Sequence, residues 1–225
     1  MTSLSCTVII PAYNAARTIA DALQSVQAQS LRPTRIIVVD DGSTDETATI
    51  AGAMGAEVIR QRQQGPGNAC NRALAEVDTP YVAYLDADDI WLPHKTGHQF
   101  PALAGSSPVD GVFGMVRLFH HGEEPAADAP TREGWGRTTM LFRTSVMRTV
   151  GPIYDPKAGL GDMVDWISRA RESGHRLVMQ PEVVALRRII PGSMTFDRDG
   201  RDVGYLEVAR RALERRRARL GREGP

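Results

Sequence analysis

The 225-residue chain has only two cysteines, Cys6 and Cys70, and aromatic residues make up just 6% of it. Two thiols, one in a predicted strand and one in a predicted helix, do not make a disulfide framework, and they suit a reducing compartment. No apolar run approaches the ~20 residues of a membrane span, and the N-terminus lacks a basic segment followed by an apolar one. The expectation is therefore a cytoplasmic chain without a transmembrane segment. Net charge is also missing: 27 Lys and Arg balance 27 Asp and Glu, so there is no overall field for nucleic acid. Gly65-Pro66-Gly67 does not continue into Gly-Lys-Ser/Thr, which excludes a P-loop, and no Gly-x-Gly-x-x-Gly follows the first strand, which disfavours a dinucleotide dehydrogenase. What remains, 42% hydrophobic and 24% charged residues, is ordinary for a globular α/β domain.

Apolar, β-branched runs at residues 4–10, 35–39, 56–60 and 81–85 predict buried strands. Helical spacing between them predicts helices over residues 16–29, from Ser43 or Thr44 to Met54, and from Gly65 to Ala75. Strand alternating with helix implies a mostly parallel, doubly wound sheet, in which ligands bind beyond the carboxyl ends of the strands. The unusual residues fall there. Pro11-Ala12-Tyr13-Asn14, Asp40-Asp41-Gly42, residues 64–68 and Asp86-Ala87-Asp88-Asp89 each follow a strand and gather on one rim.

The second half is less regular. Residues 109–119 read as a strand pair or one long strand, 120–136 as a long loop that could serve as a lid, and 138–142 as a strand. A short helix ending near Val150 precedes a turn at 151–156, a helix over 162–173 and a short strand over 176–179. From Asp202 the spacing of Val203, Leu206, Ala209, Leu213 and Leu220 predicts a helix with one apolar stripe. Its remainder is arginine-rich, with seven arginines between Glu207 and Arg222.

In Tyr84-Leu85-Asp86-Ala87-Asp88-Asp89, side chains two apart on an extended backbone face the same way. Two hard oxygen ligands there suit Mg²⁺ or Mn²⁺, above all an ion that carries phosphates. A polar cap on a strand end, with Asp88 or Asp89 starting a helix, is the plainer alternative.

Taken together, Val8-Ile9-Ile10-Pro11-Ala12-Tyr13-Asn14, Val38-Val39-Asp40-Asp41-Gly42-Ser43-Thr44-Asp45, Gly65-Pro66-Gly67-Asn68-Ala69 with Arg72, and the Asp86-Ala87-Asp88 stretch resemble the family 2 glycosyltransferases. Weaker matches run through 150–155, 162–172 and 187–195. The resemblance implies a GT-A fold and an inverting transfer from a nucleotide sugar, with uracil as the usual base. It implies that Pro11 and Tyr13 line the base pocket, that Asp41 accepts a hydrogen bond from the base, and that Asp40 holds the turn. Gly67, Asn68 and Arg72 lie near the nucleotide in this reading, Asp86 contacts the ribose, and Asp88 holds a Mn²⁺ or Mg²⁺ ion on the diphosphate. Arg72 on a solvated helix face is the alternative.

Two stretches depart from the family. Relatives carry Glu-Asp-x-Asp where this chain has Asp162-Met163-Val164-Asp165, which puts a thioether at the position of the general base. Asp162 and Asp165, three apart on one helix face, are the replacement candidates, although Asp162 could merely cap the helix. Relatives also show Arg-Arg-x-His-x-x-Asn-x-Thr, where Ile190 and Ser193 here replace the His and Asn.

The resemblance thus implies one transferase domain over residues 1–195, its nucleotide-sugar half at 1–104 and its acceptor half at 105–195, followed by a helical tail over 196–225. The acceptor is a hydroxyl or a thiol on a peptide or glycan. The peptide is suggested by similarity of Val164-Asp165-Trp166 and Arg169-Ala170-Arg171-Glu172 to transferases encoded near modified-peptide clusters. The competing reading is a nucleotide-sugar-binding relative of little activity that serves as a partner subunit. The tail offers a helix for dimer or partner contact, an anionic membrane, or water alone.

Overall fold

The computed structural model describes residues 3–105, 109–155, 161–191 and 203–220. Its first strand, β1 (Ser3–Ala12), is apolar on both faces because both faces are covered. Cys6, Val8 and Ile10 point into one hydrophobic cluster and Ile9 into another on the opposite side of the sheet. The same two-residue alternation divides β2 (Arg32–Asp40) and β4 (Tyr81–Tyr84): Val38 and Ala83 join the first cluster, Val39, Val82 and Tyr84 the second. Helices α1 (Ile19–Gln27) and α2 (Thr47–Ala53) cover the first face. Helix α3 (Pro66–Leu74), α5 (Thr144–Val150) and α6 (Asp162–Glu172) cover the second.

With β3 (Glu57–Arg60), these strands form a parallel block in the order β3-β2-β1-β4. The chain leaves β1 in one direction and returns to β4 on its other side, so the strand order reverses between β1 and β4, where a ligand crevice opens. Beyond β4 the sheet becomes mixed. The strand β8 (Leu141–Arg143) runs antiparallel to β4 and to β6 (Gly111–His120), β6 runs parallel to β9 (Leu177–Ile189), and β9 is edged by antiparallel β5 (Ile90–Trp91). This is the expected GT-A architecture.

Several boundaries differ from the sequence reading. The strand expected at 176–179 runs on to Ile189, because its register against β6 shifts around Gln180-Pro181-Glu182 and the proline is accommodated at the bulge. Within the loop at 120–136, Thr131–Glu133 forms β7, an exposed edge pairing with Met115, Val116 and Arg117. The strand expected at 138–142 begins instead as a 3₁₀ turn, Arg137–Thr139. A further helix, α4 (Lys95–Ala104), carries Pro101 in its interior and had no counterpart in the sequence reading. The motif residues Ser193 to Thr195 lie outside the described residues.

Lys95 begins α4 with no solvent exposure. Its Nζ donates to Gln99 Oε1 at 2.7 Å and lies 4.2 Å from the centre of the Trp91 ring. Burial pushes its pKa down to about 7. Between that value and the ordinary lysine range the unfolded chain binds more protons than the folded one, so this group makes stability rise with pH. Raising the pH from 7 to 9 is expected to favour wild type over Lys95→Met by about 2 kcal/mol in urea unfolding. A difference that does not change with pH would show that Lys95 stays charged in the fold.

The tail helix α7 (Val203–Leu220) packs on α6, but not by the expected stripe. Leu206 is 74% and Leu213 55% exposed, whereas Val208 is buried and Arg211 and Arg215 turn inward. The buried partner on α6 is a carboxylate, so charge pairing rather than apolar periodicity sets the rotation of the helix. Among the described residues, no helix is long and apolar enough to cross a membrane.

Candidate active site

The rim begins where β1 and β2 end. Pro11 is buried in β1 opposite Val39, and Tyr13 stands 46% exposed just beyond it. Asn14 takes a positive φ of 48° and locks this loop to the next: its Oδ1 accepts from Thr44 N at 2.9 Å, and its N–H donates to Ser43 Oγ at 2.9 Å. Asp40 Oδ1 accepts from Ser43 N at 3.0 Å, which closes the turn.

Asp41 faces the other way. Its Oδ1 accepts from Gln61 Nε2 at 2.7 Å and Gln64 N at 2.9 Å, and its Oδ2 from Gly65 N at 2.8 Å. Three bonds leave a carboxylate with room for one more donor. Across Pro66, the next two N–H groups are taken by a second carboxylate: Asp155 accepts from Gly67 N at 2.8 Å and Asn68 N at 2.6 Å. A Cβ on Gly67 would lie 2.6 Å from Asp155 Oδ1, so the close approach requires glycine there. Burial raises the pKa of Asp155, against the two N–H bonds that oppose it.

At the end of β4 the acidic run turns back on itself, with Asp89 N donating to Asp86 O at 3.0 Å. Asp86 Oδ1 accepts from Arg137 Nε at 2.9 Å, and the same guanidinium pairs through Nη1 with Asp162 at the start of α6. Arg137 thus bridges the turn after β4 and the start of α6. The charges of Arg137, Asp86, Asp162 and Asp155 all act on the buried Cys70 thiol. The thiol itself is pushed far up by burial and, like Cys6, is free.

Asp89 is buried, taking Thr138 Oγ1 at 2.6 Å and Arg188 N at 2.9 Å. Asp88 lies between these anchored neighbours, and among the described residues its carboxylate has no side-chain partner. Burial, and then the Asp86 charge, push its pKa up to about 6. The Arg187 and Arg188 charges oppose that rise without a hydrogen bond to the carboxylate, and a half-buried carboxylate left free of side-chain hydrogen bonds, beside a second one, fits a hard divalent ion. No cluster of three or more His, Cys, Asp or Glu that could hold a metal occurs among the described residues, so such an ion needs ligand oxygens from elsewhere, as a diphosphate supplies.

Two predicted residues are not brought to this cluster. Arg72 forms an exposed pair with Glu76 at 2.6 Å, the solvated-face alternative. Asp165 is wholly buried beneath α7: Oδ2 accepts from Arg169 Nε at 2.9 Å and Oδ1 from Arg215 Nη1 at 2.6 Å, with Arg211 Nε at 3.7 Å. It cannot meet an acceptor without α7 leaving. Met163 is buried in the core with Trp166 rather than presented to the cleft. Sequence reasoning missed Arg137, Thr138, Asp155 and Arg188. Asp155 and Arg188 lie in stretches that resemble the family, but Arg137 and Thr138 carried no signal before the fold placed them.

The model of the family described as "Glycosyl transferase family 2" matches residues 7–149, more than half of the chain. The chain belongs to that family. An uncharacterized glycosyltransferase from Nostoc sp. is 40% identical over 135 residues, covering 57% of this chain and 42% of the relative. The family chain described here thus spans less than half the length of that relative. Among solved structures, S. aureus TarS 1–349 in complex with UDP-GlcNAc superposes with TM-score 0.71 at 20% identity, over 93% of this chain and 65% of that one. The mannosyltransferase PcManGT from Pyrobaculum calidifontis, in complex with GDP-Man and Mn²⁺, gives 0.63 at 17% identity, over 98% and 65%.

Proposed function

We propose that this chain transfers a sugar from a nucleotide sugar, a UDP-sugar foremost, to a hydroxyl or thiol acceptor with inversion. The observation that carries the reading is the chain Asp86–Arg137–Asp162, which joins the rim of the parallel sheet to the helix of the acceptor half, beside the unpaired Asp88. Tyr13, exposed at the end of β1, offers a ring face to the base. Asp41 has one acceptor site left for an N–H of the base and holds the loop at 64–65 beneath it. Asp86 would contact the ribose. Asp88 would hold Mn²⁺ or Mg²⁺, which when bound offsets the negative charge growing on the departing diphosphate. UDP-GlcNAc in TarS and Mn²⁺ in PcManGT support this assignment by analogy of fold.

Asp162 is the proposed base, because it is the carboxylate of α6 that meets the donor-side charges. Its pairing with Arg137 fixes the carboxylate at the start of α6. The burial of Met163 favours the second reading, a donor-binding subunit of low activity.

The test is a panel of sugar nucleotides incubated with Mn²⁺, reading free nucleoside diphosphate. UDP-sugar hydrolysis or transfer, lost on metal removal and in Asp88→Ala but retained in Asp40→Asn, is the expected result. Equal UDP affinity with and without Mn²⁺ or Mg²⁺, in wild type and Asp88→Ala alike, would remove Asp88 as a metal ligand.

A further inference from the structure

We propose that Arg188 is the positioning residue that sets the Asp88 carboxylate for its metal ion, an inference that rests on the metal role given to Asp88 above. A ligand must be held to a fraction of an ångström, and partners outside the coordination sphere commonly do this. Among the described residues the Asp88 carboxylate accepts no side-chain hydrogen bond, although the Arg187 and Arg188 charges act on it, so its position follows from the turn that carries it. Arg188 grips that turn twice: Nε donates to Asp88 O at 2.8 Å, and its backbone N–H donates to Asp89 Oδ1 at 2.9 Å. The rest of the side chain is fixed in turn. Nη2 pairs with Asp21 of α1 at 2.9 Å, Nη1 meets His121 Nδ1 at 3.4 Å, and the guanidinium lies 4.7 Å from the centre of the Phe119 ring.

Only 7% of this side chain is exposed. It therefore reaches the turn from behind and leaves the rim open. Thr138 holds Asp89 from the opposite side through its other oxygen at 2.6 Å, so the acidic turn is clamped between β9 and the 3₁₀ turn. A lysine at 188 keeps the charge but lacks the planar fork that serves Asp88 O, Asp21 and Phe119 together. The same strand end carries Ile190 where relatives have a histidine, so no imidazole at that position assists in holding the ion.

The experiment measures Mn²⁺ affinity in the presence of UDP, and UDP affinity without metal, for wild type, Arg188→Met, Arg188→Lys, Thr138→Val and Asp21→Asn. Arg188→Met is expected to weaken Mn²⁺ binding by about 10–100-fold with metal-free UDP affinity held within about twofold. Arg188→Lys should recover only part of the loss, and Thr138→Val should weaken Mn²⁺ in the same direction. Asp21→Asn loosens Arg188 on the α1 side while its bonds to the turn remain, so it should weaken Mn²⁺ binding in the same direction but less than Arg188→Met does. Should Arg188→Met not fold, Arg188→Lys and Thr138→Val carry the test. Wild-type Mn²⁺ affinity in Arg188→Met, or in both Arg188→Lys and Thr138→Val, overturns the proposal. Wild type that binds no Mn²⁺ with UDP overturns the metal reading beneath it instead.

Discussion

Asp162→Asn is expected to reduce transfer to a hydroxyl acceptor by ~10²–10⁴, the usual contribution of a positioned general base, while UDP affinity changes little. The expectation follows from placement. Asp162 opens α6 on the cleft side and pairs with Arg137, which holds Asp86. Asparagine keeps the size and a hydrogen-bond acceptor but cannot take the proton as the new bond forms. A thiol acceptor should be less affected, because a thiolate is partly formed near neutral pH without a base. The same measurement on Arg137→Met separates the roles, since loss of the guanidinium should disturb Asp86 and therefore nucleotide binding as well. Met163→Asp provides the opposite control. Its side chain sits in the core cluster with Trp166, so a carboxylate there should lower stability rather than create a base. Full turnover in Asp162→Asn, or a gain of turnover in Met163→Asp, would move the chemistry away from Asp162.

Asp165→Ala should instead show its effect in stability, by about 3–5 kcal/mol, the scale of removing one partner from a buried charge network. Arg169 and Arg215 each contact this carboxylate, Arg211 lies 3.7 Å away, and the carboxylate is the anchor of α7 on α6. For a chain of this size such a loss lowers Tm by roughly 10 °C. Helix α7 is held at a second point, where Tyr154 Oη donates to Glu207 at 2.5 Å and Arg211 lies 3.7 Å from the centre of the Tyr154 ring. Detachment should therefore loosen the segment that carries Asp155, and added salt should shrink the difference from wild type by screening the arginines left without their carboxylate. Thermal melts of wild type and Asp165→Ala at two salt concentrations read it directly. Unchanged Tm with abolished turnover would return Asp165 to the list of candidate bases.

The parallel half of the sheet was readable from the chain because its strands obey a local rule. Ile9 and Ile10 face different clusters simply by being adjacent on extended backbone, so an unbroken apolar run announces a strand covered on both sides. Its rim was readable for the same reason: Asp41, Gly67 and Asp86 each directly follow or begin an element whose end the sequence marks. The Arg169–Asp165 pair was also visible, four positions apart on one helix. Partners brought from a distance were not. Arg137 reaches Asp86 across 51 positions, Asp155 reaches Gly67 across 88, and Arg215 reaches Asp165 across 50. No periodicity encodes such pairs, because side-chain spacing constrains only residues on the same element. The amino-acid order therefore settled the parallel strands, their faces and the rim at their carboxyl ends. The folded chain settled which carboxylates keep a free edge: Asp88 does among the described residues, while Asp165, of identical chemistry, is closed off by arginines arriving from another helix.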